Sequence, residues 1–280
     1  MMWSVLCGLA STVFAAQDGE VELRIVHTND THSCVMPVNP NSSDTALADK
    51  GGFVRRAALV RDLRAEDPDL LLFDSGDFSQ GSAYYNLYKG DVEVKLMNEM
   101  RYDAATIGNH EFDFGLDNMA RIFREATFPI VCANYHFEGT VLEGLVRPYV
   151  ILERKGVKVG VFGLGTQLEG MVASENYKGV TYEDPVTAAN RVADELKNKE
   201  HCDLVVCLSH LGWDIDGLDD TELWPATRYI DLVLGGHSHT YFEHPEVLKD
   251  ADGEDVYCNQ MGKHGRYVGM LLLEMSPTGD

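Results

Sequence analysis

Five short segments hold most of the side chains in this sequence that could do chemistry. They are Asp30-Thr31-His32 within HTNDTHS, Asp74-Ser75-Gly76-Asp77, Gly108-Asn109-His110-Glu111, Ser209-His210, and Gly235-Gly236-His237-Ser238-His239. Their donors are Asp30, His32, Asp77, Asn109, His210, His237 and His239, all nitrogen or oxygen and none sulfur. That mixture suits divalent Zn, Mn, Fe or Co rather than a thiolate-held structural zinc. Seven donors are too many for one ion. Two divalent metal ions roughly 3.5–4 Å apart, with one carboxylate between them, would use the set. Asp77, on a turn beside Gly76, is the candidate for that central place. His237 and His239 are two residues apart, so on an extended segment they point the same way. Taken singly, Asp-x-His reads as a loop or cap and Gly-Asp as a turn. Five such segments in succession, each after a strand pattern, leave that reading little room.

Chemistry of this kind needs strand ends that converge. Apolar alternation or continuous apolar runs predict strands at 21–28, 69–74, 104–107, 129–133, 149–153, 157–163, 204–209, 232–234, 256–259 and 267–275. Helical periodicity predicts helices at 53–65, 92–100, 116–126 and 185–198, with a polar loop at 39–49. Alternating strands and helices indicate a layered α/β fold, and about ten strands suggest two sheets rather than one. In open α/β sheets, side chains beyond the carboxyl ends of the strands meet in one crevice. The last two strands lack an intervening helix, so an antiparallel pair is expected there. No linker interrupts the chain, and 21–280 reads as one domain.

Composition narrows the function classes. The chain has 280 residues, 45% of them apolar, and a formal net charge of -22. Such a surface repels polynucleotide backbones and anionic membranes, so a nucleic acid polymer is not an expected partner. A small anionic substrate remains compatible, because bound cations reverse the local field. Residues 1–16 are apolar, end in small residues and are too short for a stable membrane span. They read as a signal peptide, which implies a periplasmic or extracellular protein. The six cysteines show no CxxC spacing and are expected to be mostly buried free thiols.

The ordered set Asp30-x-His32, Gly76-Asp77, Gly108-Asn109-His110-Glu111, His210 and Gly236-His237-x-His239 resembles the signature of calcineurin-like metallophosphoesterases. HTNDTHS, LLLFDSGDFSQGS and TIGNHEFDFG resemble in particular the catalytic domain of the 5'-nucleotidase and UDP-sugar hydrolase family. The resemblance covers nearly all of the chain after residue 21. It implies a four-layer α/β/β/α sandwich, with two mixed sheets flanked by helices. One metal site is similar to one held by Asp30, His32, Asp77 and His239, the other to one held by Asp77, Asn109, His210 and His237. His110 corresponds to the catalytic histidine, and Asp113 to the carboxylate that orients it. The implied reaction is hydrolysis of phosphate monoesters, nucleotides above all, by a metal-bridging hydroxide. UDP-sugar pyrophosphates, cyclic phosphodiesters and thiosulfate esters are the alternatives within the superfamily. Full-length 5'-nucleotidases grip the nucleotide with a C-terminal domain. Three readings follow: a separate protein of that type is a partner without which the chain could lack activity, the chain acts on other phosphate esters, or it is a fragment of a longer one.

Other polar residues carry smaller expectations. His27 is read as structural, and Glu111 and Asp74 as partners of the ligands or turn residues. His136, His201 and His244 are read as surface groups. His264 is a candidate for the rim of the site, and Trp213 and Asp214 for its mouth.

Overall fold

Apolar runs such as LLFD and LVVCLSH suit strands buried on both faces, and the chain folds them that way. The computed structural model describes residues 5–6, 21–43, 45 and 48–275; the expected leader at 1–16 lies outside these apart from residues 5–6. The strands are β1 (Val5–Leu6), β2 (Val21–Thr28), β3 (Leu71–Asp74), β4 (Ala104–Ala105), β5 (Ile130–Val131), β6 (Tyr135–His136), β7 (Val146–Arg147) and β8 (Tyr149–Arg154). They continue with β9 (Val157–Gly165), β10 (Thr181–Tyr182), β11 (Leu204–His210), β12 (Leu232–Leu234), β13 (Glu246–Lys249), β14 (Asp255–Asn259) and β15 (Gly269–Met275). The helices are α1 (Phe53–Glu66), α2 (Ala83–Tyr88), α3 (Asp91–Met100), α4 (Gly115–Glu125), α5 (Pro185–Asp194) and α6 (Asp220–Leu223).

Two large mixed sheets result. One has the order β1-β15-β2-β3-β4-β5-β7, the other β13-β14-β12-β11-β9-β8, and β6 and β10 pair apart from both. Side-chain alternation builds three cores. Ile25, Leu71 and Phe73 meet Val161, Val206 and Leu234 between the sheets. Val26 and Leu72 face the other way, onto Val60 of α1, Met97 of α3 and Met119 of α4. Val205 and Cys207 pack on Ala188 and Val192 of α5, with Trp224 beside them. Helix, sheet, sheet, helix is thus the layer order, as the resemblance implies. α5 begins as its sequence suggests, with Pro185 in its first turn and Asp184 accepting from the Thr187 amide.

The expected hairpin of the last two strands does not form. β14 lies parallel to β12 and antiparallel to β13, whereas β15 crosses to the other sheet and pairs antiparallel with β2. The apolar pattern explains the separation. Val256 and Cys258 of β14 face the α5 side, while Leu271 and Leu273 of β15 fill the space between the sheets. α2 was not expected; Ser82 Oγ caps it by accepting from the amides of Tyr84 and Tyr85. The helix expected to reach 198 stays α-helical to Asp194 and continues as a π turn, Glu195–Lys199. The five described cysteines are free, four of them buried. Among the described residues, no helix is long and apolar enough to cross a membrane.

Candidate metal centre

Parallel pairing brings the segments together. Thr28 pairs with Asp74 and Asp74 with Ala105, so the chain leaves three adjacent strands at one level. In the other sheet, Leu208 pairs with Leu234 just before His210 and the glycine pair. The turns that follow are tight. Asp30, His32, Asp77, His237 and His239 all hold positive φ, at 47°, 42°, 53°, 71° and 58°. Non-glycine residues seldom adopt that region, and such strain clusters at functional sites. Gly76 is required for space as well: a Cβ there would lie 2.7 Å from the Gly108 amide nitrogen and 2.9 Å from His210 Nδ1.

Three overlapping groups of donors form. Asp30, His32 and His239 make one; His32, Asp77 and His110 a second; Asp77, His210 and His237 a third, with the ligand atoms in each within 4.8 Å of one another. His239 Nε2 is 3.5 Å from Asp30 Oδ1, and His32 Nε2 is 3.7 Å from the same oxygen. On the other side His210 Nε2 is 3.2 Å from Asp77 Oδ2, and the His237 ring lies 5.2 Å from the His210 ring. His110 Nδ1 is 3.1 Å from Asp113 Oδ2. Asn109 is buried on the turn between Gly108 and His110. The seven expected donors therefore occupy one rim of the two sheets, with His110 and Asp113 beside them.

The donor set fits divalent cations. His32 Nε2 and His239 Nε2 face each other at 3.0 Å, a pairing that needs a shared cation or proton. Asn109 Oδ1 and His210 Nε2 are buried with no hydrogen-bond partner, although His210 Nε2 approaches Asp77 out of line. Unsatisfied buried polar atoms in native proteins call for a specific explanation, and an ion supplies one. Charge points the same way. Burial raises the Asp30 carboxyl to about 8, and burial with Asp77 nearby raises Glu111 to about 7. Burial is the largest influence on Asp77 and pushes it upward, but the attraction of His210 together with that of His32 and His110 outweighs it and holds Asp77 below the usual carboxylate range. His210 is raised to about 10, because Asp77 outweighs the opposing effect of burial. Burial alone would lower His110; its hydrogen bond to Asp113 and the charge of Asp77 bring it above the ordinary histidine value.

Three supporting residues hold the loops. Glu111 accepts from the amides of Gly108, Asp77 and Ser79 at 2.7, 3.0 and 3.1 Å, tying two donor turns together. Asn29 donates to Asp30 Oδ2 at 2.6 Å and to the Gly262 carbonyl at 2.8 Å, and accepts from the Met261 amide at 2.8 Å. Gln260, fully buried, accepts from the Thr240 amide at 2.6 Å and donates to the Gly236 carbonyl at 3.0 Å. Sequence assigns no role to Gln260, or to Asn29 within HTNDTHS, because an amide residue beside a strand end carries no distinguishing pattern. His264, half-buried, presents its ring 5.8 Å from that of His32, at the rim as expected. The Trp213 amide donates to Ser238 Oγ at 3.0 Å, while Asp214 is exposed. Asp74 accepts from Thr28 Oγ1 and the Gly76 amide and stays behind the site. His27 is fully buried, whereas His201 and His244 are exposed and His136 pairs with Glu183 at the surface.

Two stacked mixed sheets with oxygen and nitrogen donors gathered at one rim define a metallophosphatase-like α/β protein. The family model for calcineurin-like phosphoesterase matches residues 23–241, and the chain belongs to that family. Human 5'-nucleotidase is 32% identical over 296 residues, an alignment covering 99% of this chain and 50% of the human one. The crystal structure of a 5'-nucleotidase precursor from Thermus thermophilus superposes with a TM-score of 0.81 at 33% identity, covering 90% of this chain and 51% of that one. An NAD nucleotidase from Haemophilus influenzae gives 0.82 at 28% identity, covering 93% and 48%. The chain thus spans about half the length of these relatives.

Proposed function

We propose that this chain is the catalytic unit of an exported phosphoesterase that hydrolyses phosphate monoesters, nucleotides in particular, with two divalent metal ions. The observation that carries the reading is the central place of Asp77, grouped with His210 and His237 on one side and with His32 on the other, where His32 also joins Asp30 and His239; one carboxylate would thus serve both ions. Asp30, His32, Asp77 and His239 would hold one ion, and Asp77, Asn109, His210 and His237 the other. Bound there, the ions would neutralise phosphate oxygens and acidify a water molecule. The chain's own residues do the rest. His110, with Nδ1 engaged by Asp113, keeps Nε2 free to donate a proton towards the leaving oxygen. Asp113 fixes the ring and favours its charged form. Glu111, Asn29 and Gln260 hold the donor turns in place, so binding needs little reorganisation.

Substrate choice and location extend the same proposal. The relatives named as 5'-nucleotidases and NAD nucleotidase support a nucleotide-type substrate. A C-terminal-type domain would complete the grip on the base. Residues 1–16 would direct export. The test is hydrolysis of AMP, NAD, UDP-glucose, a cyclic nucleotide and p-nitrophenyl phosphate with added Mn or Zn, read by chromatography of the products. The proposal expects metal-dependent turnover, highest on a monoester. Absence of turnover on all five substrates, with folded and metal-loaded protein, would remove it.

A further inference from the structure

α1 starts in an unusual electrostatic setting. Its N-cap, Gly52, supplies no side-chain cap, and its first turn has no acidic residue. Arg55 and Arg56 stand there instead, where the positive end of a helix dipole ordinarily attracts carboxylates. A cavity of about 410 Å³ opens against this end, lined by Lys50, Arg55, Arg56, Arg266 and Tyr267 among others. Asp49 is the one carboxylate in its wall, and Arg55 engages it at 2.9 Å. Three further cations thus face one hollow in a chain whose net charge is -22.

Arg56 supplies an independent sign of a ligand. Its side chain is only 4% exposed, stacks 3.9 Å above the Phe53 ring, and leaves Nε and Nη1 without any hydrogen-bond partner. A buried guanidinium without acceptors is costly. Asp74 feels its charge, but its two oxygens accept from Thr28 and the Gly76 amide and make no hydrogen bond to Arg56 Nε or Nη1. Arg56 is itself part of the cavity wall, the side from which a bound anion would reach it. We propose that the cavity is a binding site for a phosphate-class oxyanion, free or esterified, distinct from the metal centre. Such an ion offers three or four acceptor oxygens, enough for several cationic side chains at once. A carboxylate offers two. None of the seven metal-donor candidates lines this cavity. The loop that separates the two sites carries His264, whose amide donates to the Asp30 carbonyl at 2.7 Å, and Gly265, which lines the cavity.

The experiment is equilibrium dialysis of the full chain against radiolabelled inorganic phosphate at low and moderate salt. An Asp77→Asn background removes phosphate binding at the metal centre, so the outcome is independent of the catalytic proposal. That variant, shown folded by circular dichroism, should keep one saturable site that weakens with salt. Adding Lys50→Gln and Arg266→Gln should weaken it at least tenfold, and Arg56→Met should do the same if it folds. Unlabelled AMP displacing phosphate at lower concentration than phosphate itself identifies an esterified ligand, and displacement only at equal or higher concentration a free one. No saturable site in the folded Asp77→Asn protein overturns the proposal. So does binding indifferent to the Lys50 and Arg266 changes, or displacement by adenosine as effective as by AMP.

Discussion

Five of the seven candidate donors sit on residues with a left-handed backbone, and each such residue costs of order 1–3 kcal/mol. The sequence displays the donor types and their order but not this strain, because only glycine advertises positive φ. His110 is different: its backbone is relaxed, and its role rests on the hydrogen bond to Asp113. His110→Ala is therefore expected to lower kcat by about 10²–10⁴-fold while metal content, measured by mass spectrometry, stays near that of the wild type. Asp77→Asn should lose metal and activity together. If the alanine variant loses metal as well, His110 belongs among the ligands. A second residue-scale prediction concerns His27. It is fully buried with both ring nitrogens unpartnered, and burial lowers it to about 3. The folded state thus keeps it neutral while the unfolded state takes up a proton below about pH 6.5. Stability from this group is complete above that pH and falls as pH drops towards 3. Between pH 6.5 and 5 the loss is about 2 kcal/mol. Urea unfolding of His27→Phe should show a pH dependence weaker by about that amount. Parallel curves for the two proteins would mean that His27 is not held neutral.

At the scale of elements, the strands that feed the site were legible and their ends were not. β2 matches its expected range to the residue, whereas 104–107 and 129–133 each shrink to a two-residue strand. Backbone that leaves a sheet to form a donor turn keeps its apolar composition, so Ile107 looks like strand and is not. The failed hairpin has a different cause. Pairing partners are set by which core a strand's apolar face fills, and that is a property of the assembled layers. The crossing from β14 to β15 is nevertheless what places Gln260, Met261 and His264 at the site. Gln260 pins the segment bearing His237 and His239 through three bonds, to Gly236, Ser238 and Thr240. Gln260→Leu keeps the volume roughly constant but strands these groups, at about 1–3 kcal/mol for each unsatisfied partner. The expected outcome is weakened metal affinity, read by competition with a chelating dye, with the far-ultraviolet circular dichroism preserved. Unchanged affinity would show that the glycine-rich segment holds its own conformation.

For the whole molecule, the stacked sheets act as a frame that holds like charges together. Asp30, Asp77 and Glu111 are all fully or almost fully buried within one rim, and burial opposes charge on each of them. Without cations the frame can relieve this only by taking up protons, as the raised carboxyls of Asp30 and Glu111 show. The folded state therefore binds divalent ions far better than the unfolded chain, and binding must stabilise the fold. At a free metal concentration about 100 times the dissociation constant the gain is about 2.7 kcal/mol for each site. In a domain of this size 1 kcal/mol corresponds to about 2–4 °C in Tm. Removing metal with a chelator should lower Tm by about 5–10 °C per site, and restoring Mn or Zn should return it. Asp77→Asn removes the shared carboxylate, so its Tm should respond little to either treatment. Raising the pH from 6 to 9 in chelator should lower Tm further, because the protons that substitute for metal on Asp30 and Glu111 are then lost. A wild-type Tm indifferent to chelator at both pH values would mean that the rim does not need cations, and the two-metal reading would fall with it.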